Sequence, residues 1–282
     1  MAYKIRFPFT VAAGLEQTWR FDKLLKQDNG RDYFDTNYSI IQNHEPLAAI
    51  LNSHLQKNDL ILEAGCGSGR WLYYLSKQGY RAVGLDISGE IISTIKKLDS
   101  NAVVCVSNVL TLPFRDNVFD AVLSSYVSEH FRNGPSIGLR EAYRVLKPGG
   151  KLFFVVPFNN VIRKTVYNRL QDMAYYYHQP RDEKLCFCEY RFDRKECEKY
   201  LRQTGFTVEC CYPDELTNGW NKGIAVDYRN LRSYWPFLPN LHDDFQLPGW
   251  AEFLTSFLQK INKWSCCGGI ICVAVKNRGG KS

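Results

Sequence analysis

The sequence has no long apolar run and no block of like charge. No stretch approaches the ~20 apolar residues that span a bilayer, so no membrane span is expected. The start, Met1-Ala-Tyr-Lys-Ile-Arg6, has none of the apolar core of a secretory signal. Lys and Arg outnumber Asp and Glu 36 to 29, for a net charge of +7, yet no basic run exceeds two residues. Charge scattered in this way reads as solubility and disfavours a nucleic-acid partner. Cysteine is plentiful at 10 residues, but no pair has C-x-x-C spacing. Cys186-Phe-Cys188, Cys210-Cys211 and Cys266-Cys267 have no accompanying His pair, so no metal is expected. Cys105, Cys210 and Cys272 fall within apolar, strand-like runs where a small apolar residue is wanted. Reduced thiols and a reducing cytoplasm follow. At 282 residues and 45% hydrophobic content, the chain can bury one full core with room for additions.

What is present centres on Glu63-Ala-Gly-Cys-Gly-Ser-Gly-Arg-Trp71, which follows the apolar run Leu60-Ile-Leu62. An acidic residue and three alternating glycines between a buried-type strand and a helical pattern give a turn with no obstructing side chains. There the backbone can approach a ligand, and the amides of the next helix face it. A dinucleotide fingerprint would need its third glycine where Arg70 stands, and no Gly-Lys-Ser/Thr follows to make a phosphate-gripping loop. A second strand, Arg81-Ala-Val-Gly-Leu85, ends at Asp86, 23 residues after Glu63. A carboxylate at that strand tip is placed to accept from vicinal ribose hydroxyls. Ser88 can cap the following helix, whose apolar face is Ile91, Ile92, Ile95 and Leu98, which leaves Asp86 for the ribose. Ala102–Val106, Phe119–Ser125 and Lys151–Pro157 read as further strands, and Pro and Gly punctuate Arg144-Val-Leu-Lys-Pro-Gly-Gly150.

Residues 58–158 resemble the core of a class I S-adenosylmethionine-dependent methyltransferase, in the broad group that includes quinone and natural-product methyltransferases. Four segments match in order and spacing: Glu63 to Gly69, Gly84-Leu-Asp86, Leu112-Pro-Phe114 with Phe119-Asp120, and Arg144 to Gly150. Tyr200-Leu-Arg-Gln-Thr-Gly-Phe206 and Gly269–Val275 resemble, more loosely, the approach to the sixth strand and the seventh strand. The resemblance implies a Rossmann-like, doubly wound α/β sheet of seven strands, the last antiparallel, with helical, aromatic-rich cap insertions. It divides the chain into a helical cap (1–57), the cofactor-binding core (58–158), a helical insertion with the sixth strand (159–213), an aromatic cap (214–264) and a last strand with tail (265–282).

The resemblance also implies that S-adenosyl-L-methionine is the cofactor. Gly65, Cys66, Gly67 and Gly69 would line it through backbone atoms, and Glu63 would support the loop or reach the methionyl amine through water. Asp86 would hold the ribose and Ile87 would pack on the adenine. Asn108 stands where the family often has Asp, and its carbonyl would accept from the adenine amino group while the Val109 amide donates to the ring. Ser125 would lie at the methyl end, and Arg20 or Tyr33 of the leader could meet the methionyl carboxylate. For proton removal, Glu129-His130 lies just beyond the fourth strand. His130 is the candidate base, Tyr126, His44, His178 and His242 are further candidates, and a structural histidine is the bland alternative.

The remaining segments bear on the acceptor. The family's enzymes that methylate base amines or glutamine use Asn/Asp-Pro-Pro-Tyr/Phe after the fourth strand, where this chain has Ser125-Tyr126. Residues 214–264 hold Trp220, Tyr228, Tyr234-Trp235-Pro-Phe237, Phe245, Trp250, Phe253, Phe257 and Trp264, far more than a hairpin requires. Their rings could wall an apolar pocket. Alternatively, Leu254, Phe257, Leu258 and Ile261 form a helix face that packs on the sheet. The cap could equally bury a homodimer interface. The expected enzyme therefore methylates O, N or C of a small apolar or aromatic metabolite, as in natural-product biosynthesis. Its alternatives are a protein or RNA methyltransferase and a catalytically silent S-adenosylmethionine-binding regulator, with a nicotinamide oxidoreductase more distant.

Overall fold

The computed structural model describes residues 2–8, 31–178, 185–214, 227–228, 231–232, 234–235, 237 and 249–278. In chain order the elements begin with β1 (Tyr3–Pro8), α1 (Arg31–His44) and α2 (Pro46–His54). The core follows as β2 (Leu60–Ala64), α3 (Arg70–Lys77), β3 (Arg81–Asp86), α4 (Gly89–Leu98), β4 (Val104–Val106), β5 (Phe119–Ser125), α5 (Ser136–Val145) and β6 (Leu146–Pro157). The C-terminal part adds α6 (Asn168–His178), β7 (Leu185–Arg191), α7 (Arg194–Gln203), β8 (Phe206–Asp214), α8 (Gly249–Ile261) and β9 (Gly269–Lys276).

Seven strands form one sheet in the order β4-β3-β2-β5-β6-β9-β8. The pairs from β4 through β6 are parallel, and β9 runs antiparallel between β6 and β8. This is the Rossmann-like, doubly wound sheet with an antiparallel last strand that the resemblance implies, and both of its faces are covered. The two-residue period of a strand sends Ile61, Ala121, Leu123, Phe153 and Val155 to one face, where Leu47, Leu51, Trp71, Leu75 and Ile95 from α2, α3 and α4 pack. The alternate residues Leu62, Val122, Leu152, Phe154 and Val156 meet Leu139, Val145, Cys197 and Leu201 from α5 and α7 on the other face. Burial on both sides explains why these strands read as continuous apolar runs rather than as alternations.

The additions depart from expectation in two places. The leader is not wholly helical: β1 pairs antiparallel with β7 in a separate two-stranded sheet, so residues 159–213 also carry a strand besides β8. The expected packing face of α8 is turned outward. Phe257 and Ile261 are 53% and 69% exposed and Leu254 is 47% exposed, whereas Thr255 is buried. Phe257 lies nearly opposite Thr255 around the helix. The inward side is fixed at Thr255, whose carbonyl accepts from the Cys266 thiol at 3.6 Å. Among the described residues no helix is long and apolar enough to cross a membrane, and nine cysteines are free.

Arg144, in the segment that matched the family pattern, is a structural clasp. Its guanidinium donates to Glu141 Oε1 and Oε2 (2.9 and 2.8 Å), to Asp116 (2.9 Å) and to the carbonyls of Phe114 and Leu112 (2.7 and 2.9 Å). Glu141 in turn accepts from the Leu112 N–H at 2.7 Å. These bonds hold the loop between β4 and β5 against α5 and keep the nearby ends of the parallel strands in place. Removing one partner strands the others, so Arg144→Met should lower stability by about 2–3 kcal/mol in denaturant titration. A change below measurement error would show that water replaces the clasp.

Candidate functional site

The sheet order reverses at β2, whose neighbours β3 and β5 lead away in opposite directions. A crevice opens beyond the strand ends at such a point. The glycine loop occupies it. The Gly65 and Cys66 N–H groups both donate to the Leu85 carbonyl, at 2.9 and 2.8 Å, which docks the loop on the tip of β3. Gly65 has φ +82°, and a Cβ there would lie 2.5 Å from Val127 Cγ2. Gly67 has φ +46° and open space where its Cβ would be. One glycine therefore serves close packing, and the next leaves backbone bare beside the crevice. The Cys66 side chain is buried in the core against Gly84, so it offers only its backbone outward.

Asp86 is aimed by the same loop. Its Oδ2 accepts from the Gly67 N–H and its Oδ1 from the Ser88 N–H, both at 3.0 Å. Ser88 caps α4 by accepting from the Ile91 N–H, as expected. Asp86 is thus not left idle by the cap but held at a fixed orientation, with lone pairs remaining on both oxygens for a vicinal diol. Ile87, beside it, is 72% exposed, an apolar surface at the crevice of the kind that stacks under a planar ring.

Glu63 is the most unusual group. It is 3% exposed, and its Oε2 has no hydrogen-bond partner among the described residues. Burial pushes its carboxyl up to about 8, an effect only partly opposed by the nearby Arg70 charge and a backbone hydrogen bond at Leu72. Arg70, the residue that broke the dinucleotide pattern, pairs through both guanidinium nitrogens with the carboxylate of Glu45, which precedes α2. Tyr33 of α1 hydrogen-bonds the Ser68 side chain, and burial raises its phenol. Tyr33 and Glu45 therefore lie against the glycine loop and the start of α3. Arg20 lies outside the described residues, as do His242 and Trp220, and the side chains of His44 and His178 are likewise not described.

On the adenine side, Asn108 Oδ1 already accepts from the Leu110 N–H at 2.9 Å. The carbonyl assigned to an adenine amino group is first of all a turn-former, with one lone pair left. Its neighbour Val109 is half-buried among the apolar residues on the α5 face.

At the methyl end, Ser125 closes β5 and is half-buried. Tyr126 has φ +56°, an uncommon left-handed conformation for an aromatic residue, and its hydroxyl donates to Asp214 Oδ2 at 3.0 Å. Glu129 and His130 share one short turn (Ser128–His130), where Glu129 is buried and its Oε1 lies 3.8 Å from His130 Nε2. His130 Nδ1 lies 3.0 Å from the Cys188 carbonyl. A carbonyl only accepts, so Nδ1 carries the hydrogen and Nε2 is the nitrogen left to take a proton.

The sequence reading missed three groups: Glu45, Asp214, and the buried pairs around Asp227. Asp227 accepts from Arg163 Nε at 2.7 Å and pairs with Arg191 Nη2 at 2.8 Å, and both arginines are at least 96% buried. Arg163 Nη1 also donates to the Phe158 and Gly268 carbonyls at 2.6 and 2.7 Å, beyond β6 and before β9. No local signal marks these pairs, because their partners lie tens of residues apart.

An aimed carboxylate, a glycine turn with open space at Gly67 and a buried acid with an orphan oxygen suit a ligand with a vicinal diol and a primary ammonium group. The comparisons agree. Residues 62–154 match the family model "Methyltransferase domain". An uncharacterized protein of Methanocaldococcus jannaschii is 30% identical over 232 residues, 77% of this chain and 88% of its own length. Ubiquinone/menaquinone biosynthesis C-methyltransferase UbiE of Bartonella henselae is 27% identical over 78% of this chain and 92% of its own. Human "Probable tRNA methyltransferase 9B" is 37% identical over 99 residues, 34% of this chain and 21% of its own. A solved S-adenosylmethionine-dependent methyltransferase from Methanosarcina mazei shares the fold with TM-score 0.54 at 20% identity, over 82% of this chain and 98% of its own. The chain belongs to the class I S-adenosylmethionine-dependent methyltransferases.

Proposed function

We propose that this methyltransferase acts on a small apolar or aromatic metabolite. The observation that carries the reading is the extent of the likeness to the quinone C-methyltransferase, which spans caps as well as core, whereas the match to the tRNA enzyme covers about a third of the chain. The scattered basic residues and the aromatic content of residues 214–264 point the same way. Among the described residues, no group of three or more His, Cys, Asp or Glu side chains could hold a metal ion. Free thiols support a reducing, cytoplasmic setting.

S-adenosylmethionine supplies a methyl group already activated on a sulfonium sulfur, open to in-line displacement. The chain's own residues bind, orient and exclude water. In this reading the backbone of Gly65, Cys66 and Gly67 lies along the methionyl and ribose parts, Gly69 turns the chain into α3, and Asp86 accepts from the ribose hydroxyls. Ile87 packs on the adenine, the free lone pair of Asn108 Oδ1 accepts from its amino group, and the Val109 N–H donates to the ring. Glu63 faces the methionyl ammonium, and Ser125 and Tyr126 border the methyl end. Where the acceptor must lose a proton, His130 Nε2 takes it, with the Glu129 carboxyl 3.8 Å away.

Asp86→Ala should weaken S-adenosylhomocysteine binding by roughly 1.5–3 kcal/mol in calorimetry, the worth of hydrogen bonds to a charged group. Unchanged affinity would remove the ribose assignment. Glu63 gives a test with a defined sign. Its carboxyl is raised in the folded chain from 4.5 to about 8, so its contribution to stability is complete below the lower value and lost as pH rises through the higher. A cationic amine beside it favours the carboxylate. Ligand binding near neutral pH should therefore release a proton from Glu63, seen as buffer-dependent heats that vanish in Glu63→Gln. Buffer-independent heats in the wild type would place the amine elsewhere. To identify the acceptor class, tritiated S-adenosylmethionine can be incubated with quinols, phenols, transfer RNA and a protein extract. Label entering the quinols or phenols is expected, and label entering only RNA or protein would overturn the metabolite reading.

A further inference from the structure

The turn after β5 is held from an unexpected direction. Tyr126 sits in the left-handed region, a conformation that costs a bulky residue energy and persists only where its surroundings enforce it. Two bonds do so. The Tyr126 N–H donates to the Val155 carbonyl on β6 at 2.9 Å, and the hydroxyl donates to Asp214 at 3.0 Å. Asp214 is the last residue of β8, is 7% exposed and pairs across the sheet with Gly269, the first residue of β9. The phenol reaches it only because position 269 has no side chain: a Cβ there would lie 2.2 Å from the Tyr126 hydroxyl oxygen.

The other end of the turn leads to the cofactor loop. Val127 follows Tyr126 directly and fills the space where a Gly65 Cβ would be, at 2.5 Å. Gly65 begins the loop whose next glycine donates to Asp86. A continuous packed path thus runs from Asp214 and Gly269, 88 and 143 residues distant from Tyr126 in sequence, through Tyr126 and Val127 to Gly65.

We infer that Asp214 and Gly269 are positioning residues for the cofactor site: they clamp the Tyr126 phenol, and through the Tyr126–Val127 turn they set the seat of the glycine loop. The inference rests on the reading of that loop as the S-adenosylmethionine site. It predicts that a methyl group added on β9, outside the loop, changes cofactor affinity, and that the change depends on the presence of one hydroxyl. Packed neighbours couple in this way, whereas independent sites add.

The test is calorimetric titration of S-adenosylhomocysteine into the full chain and into Tyr126→Phe, Asp214→Ala, Gly269→Ala and the double variant Tyr126→Phe/Gly269→Ala, with melting temperatures alongside. Tyr126→Phe and Asp214→Ala should each weaken binding by about 3–10-fold, the scale of a lost hydrogen bond only partly transmitted to the loop. Gly269→Ala should weaken it at least as much, because the displaced phenol pushes on the turn. The double variant should recover most of the Gly269→Ala loss, since the oxygen at 2.2 Å is gone and the contacts left, 3.2 Å to the ring carbon Cζ and 3.1 Å to Asp214 Cβ, are milder. That rescue is what a merely structural effect on β9 would not give. Affinities within twofold of the wild type in folded variants, or additive losses in the double variant, would overturn the inference. Should Gly269→Ala fail to fold, unchanged affinity in both Tyr126→Phe and Asp214→Ala would overturn it alone. A wild type that binds no S-adenosylhomocysteine would overturn the cofactor reading itself, a result separate from any difference among the variants.

Discussion

A single carboxylate, Asp86, ties the tip of β3 to the glycine loop that leaves β2, and the site depends on that tie. One of its oxygens takes the Gly67 N–H and the other the Ser88 N–H, so the loop and the start of α4 are both fixed to the group proposed to meet the ribose. The arrangement needs glycine at two places for different reasons. Gly65 must let Val127 approach, and Gly67 must leave open space. The two N–H donors and the stranded lone pairs of Asp86 belong to one rigid unit, which is the sort of preorganisation that lets binding proceed without ordering costs at the site.

Charges around this unit are buried in pairs, with Glu63 as the exception. Arg70 is neutralised by Glu45, and Arg163 and Arg191 share Asp227. A buried ion pair contributes little net stability but is costly to break, so these pairs act as fixed joints between segments far apart in sequence. The first joins the chain ahead of α2 to the start of α3, and the second joins residue 227 of the long insertion to β7 and to the segment between β6 and α6. Glu63 has no such partner at its second oxygen and answers by holding its proton. A buried acid of this kind costs stability, and at a ligand crevice that cost is the usual mark of function.

Much of this was legible in the sequence, and the division has a physical basis. The glycine loop, Asp86 and the Ser88 cap are local: strand, turn and cap signals fall within about two dozen residues and each has a steric or hydrogen-bonding cause. The parallel strands announced themselves because burial on both faces makes them apolar throughout. The last strand could be read at Gly269–Val275 for the same reason. What escaped were pairings between distant segments. Nothing near Asp214 or Asp227 indicates a partner at Tyr126 or Arg163, since both carboxylates are chosen by tertiary geometry. The strand pairing of Tyr3–Pro8 with Leu185–Arg191 was missed for that reason too. The α8 face failed differently. Periodicity identified an apolar stripe along Leu254, Phe257 and Ile261, but a stripe does not say which way the helix turns it, and here Thr255 faces inward.

Arg70 separates the competing cofactor readings most sharply, because it stands where a dinucleotide-binding turn would carry its third glycine and is committed to Glu45. The central claim is therefore tested most directly by titrating the wild-type protein, side by side in one calorimeter, with S-adenosylmethionine and with NAD. Saturable one-to-one binding of S-adenosylmethionine with no heat from NAD is the result predicted if Asp86 holds a diol, Glu63 faces an ammonium and Arg70 closes the third-glycine position. Binding of NAD, with none of S-adenosylmethionine, would contradict it and leave the sheet topology without the chemistry assigned to it.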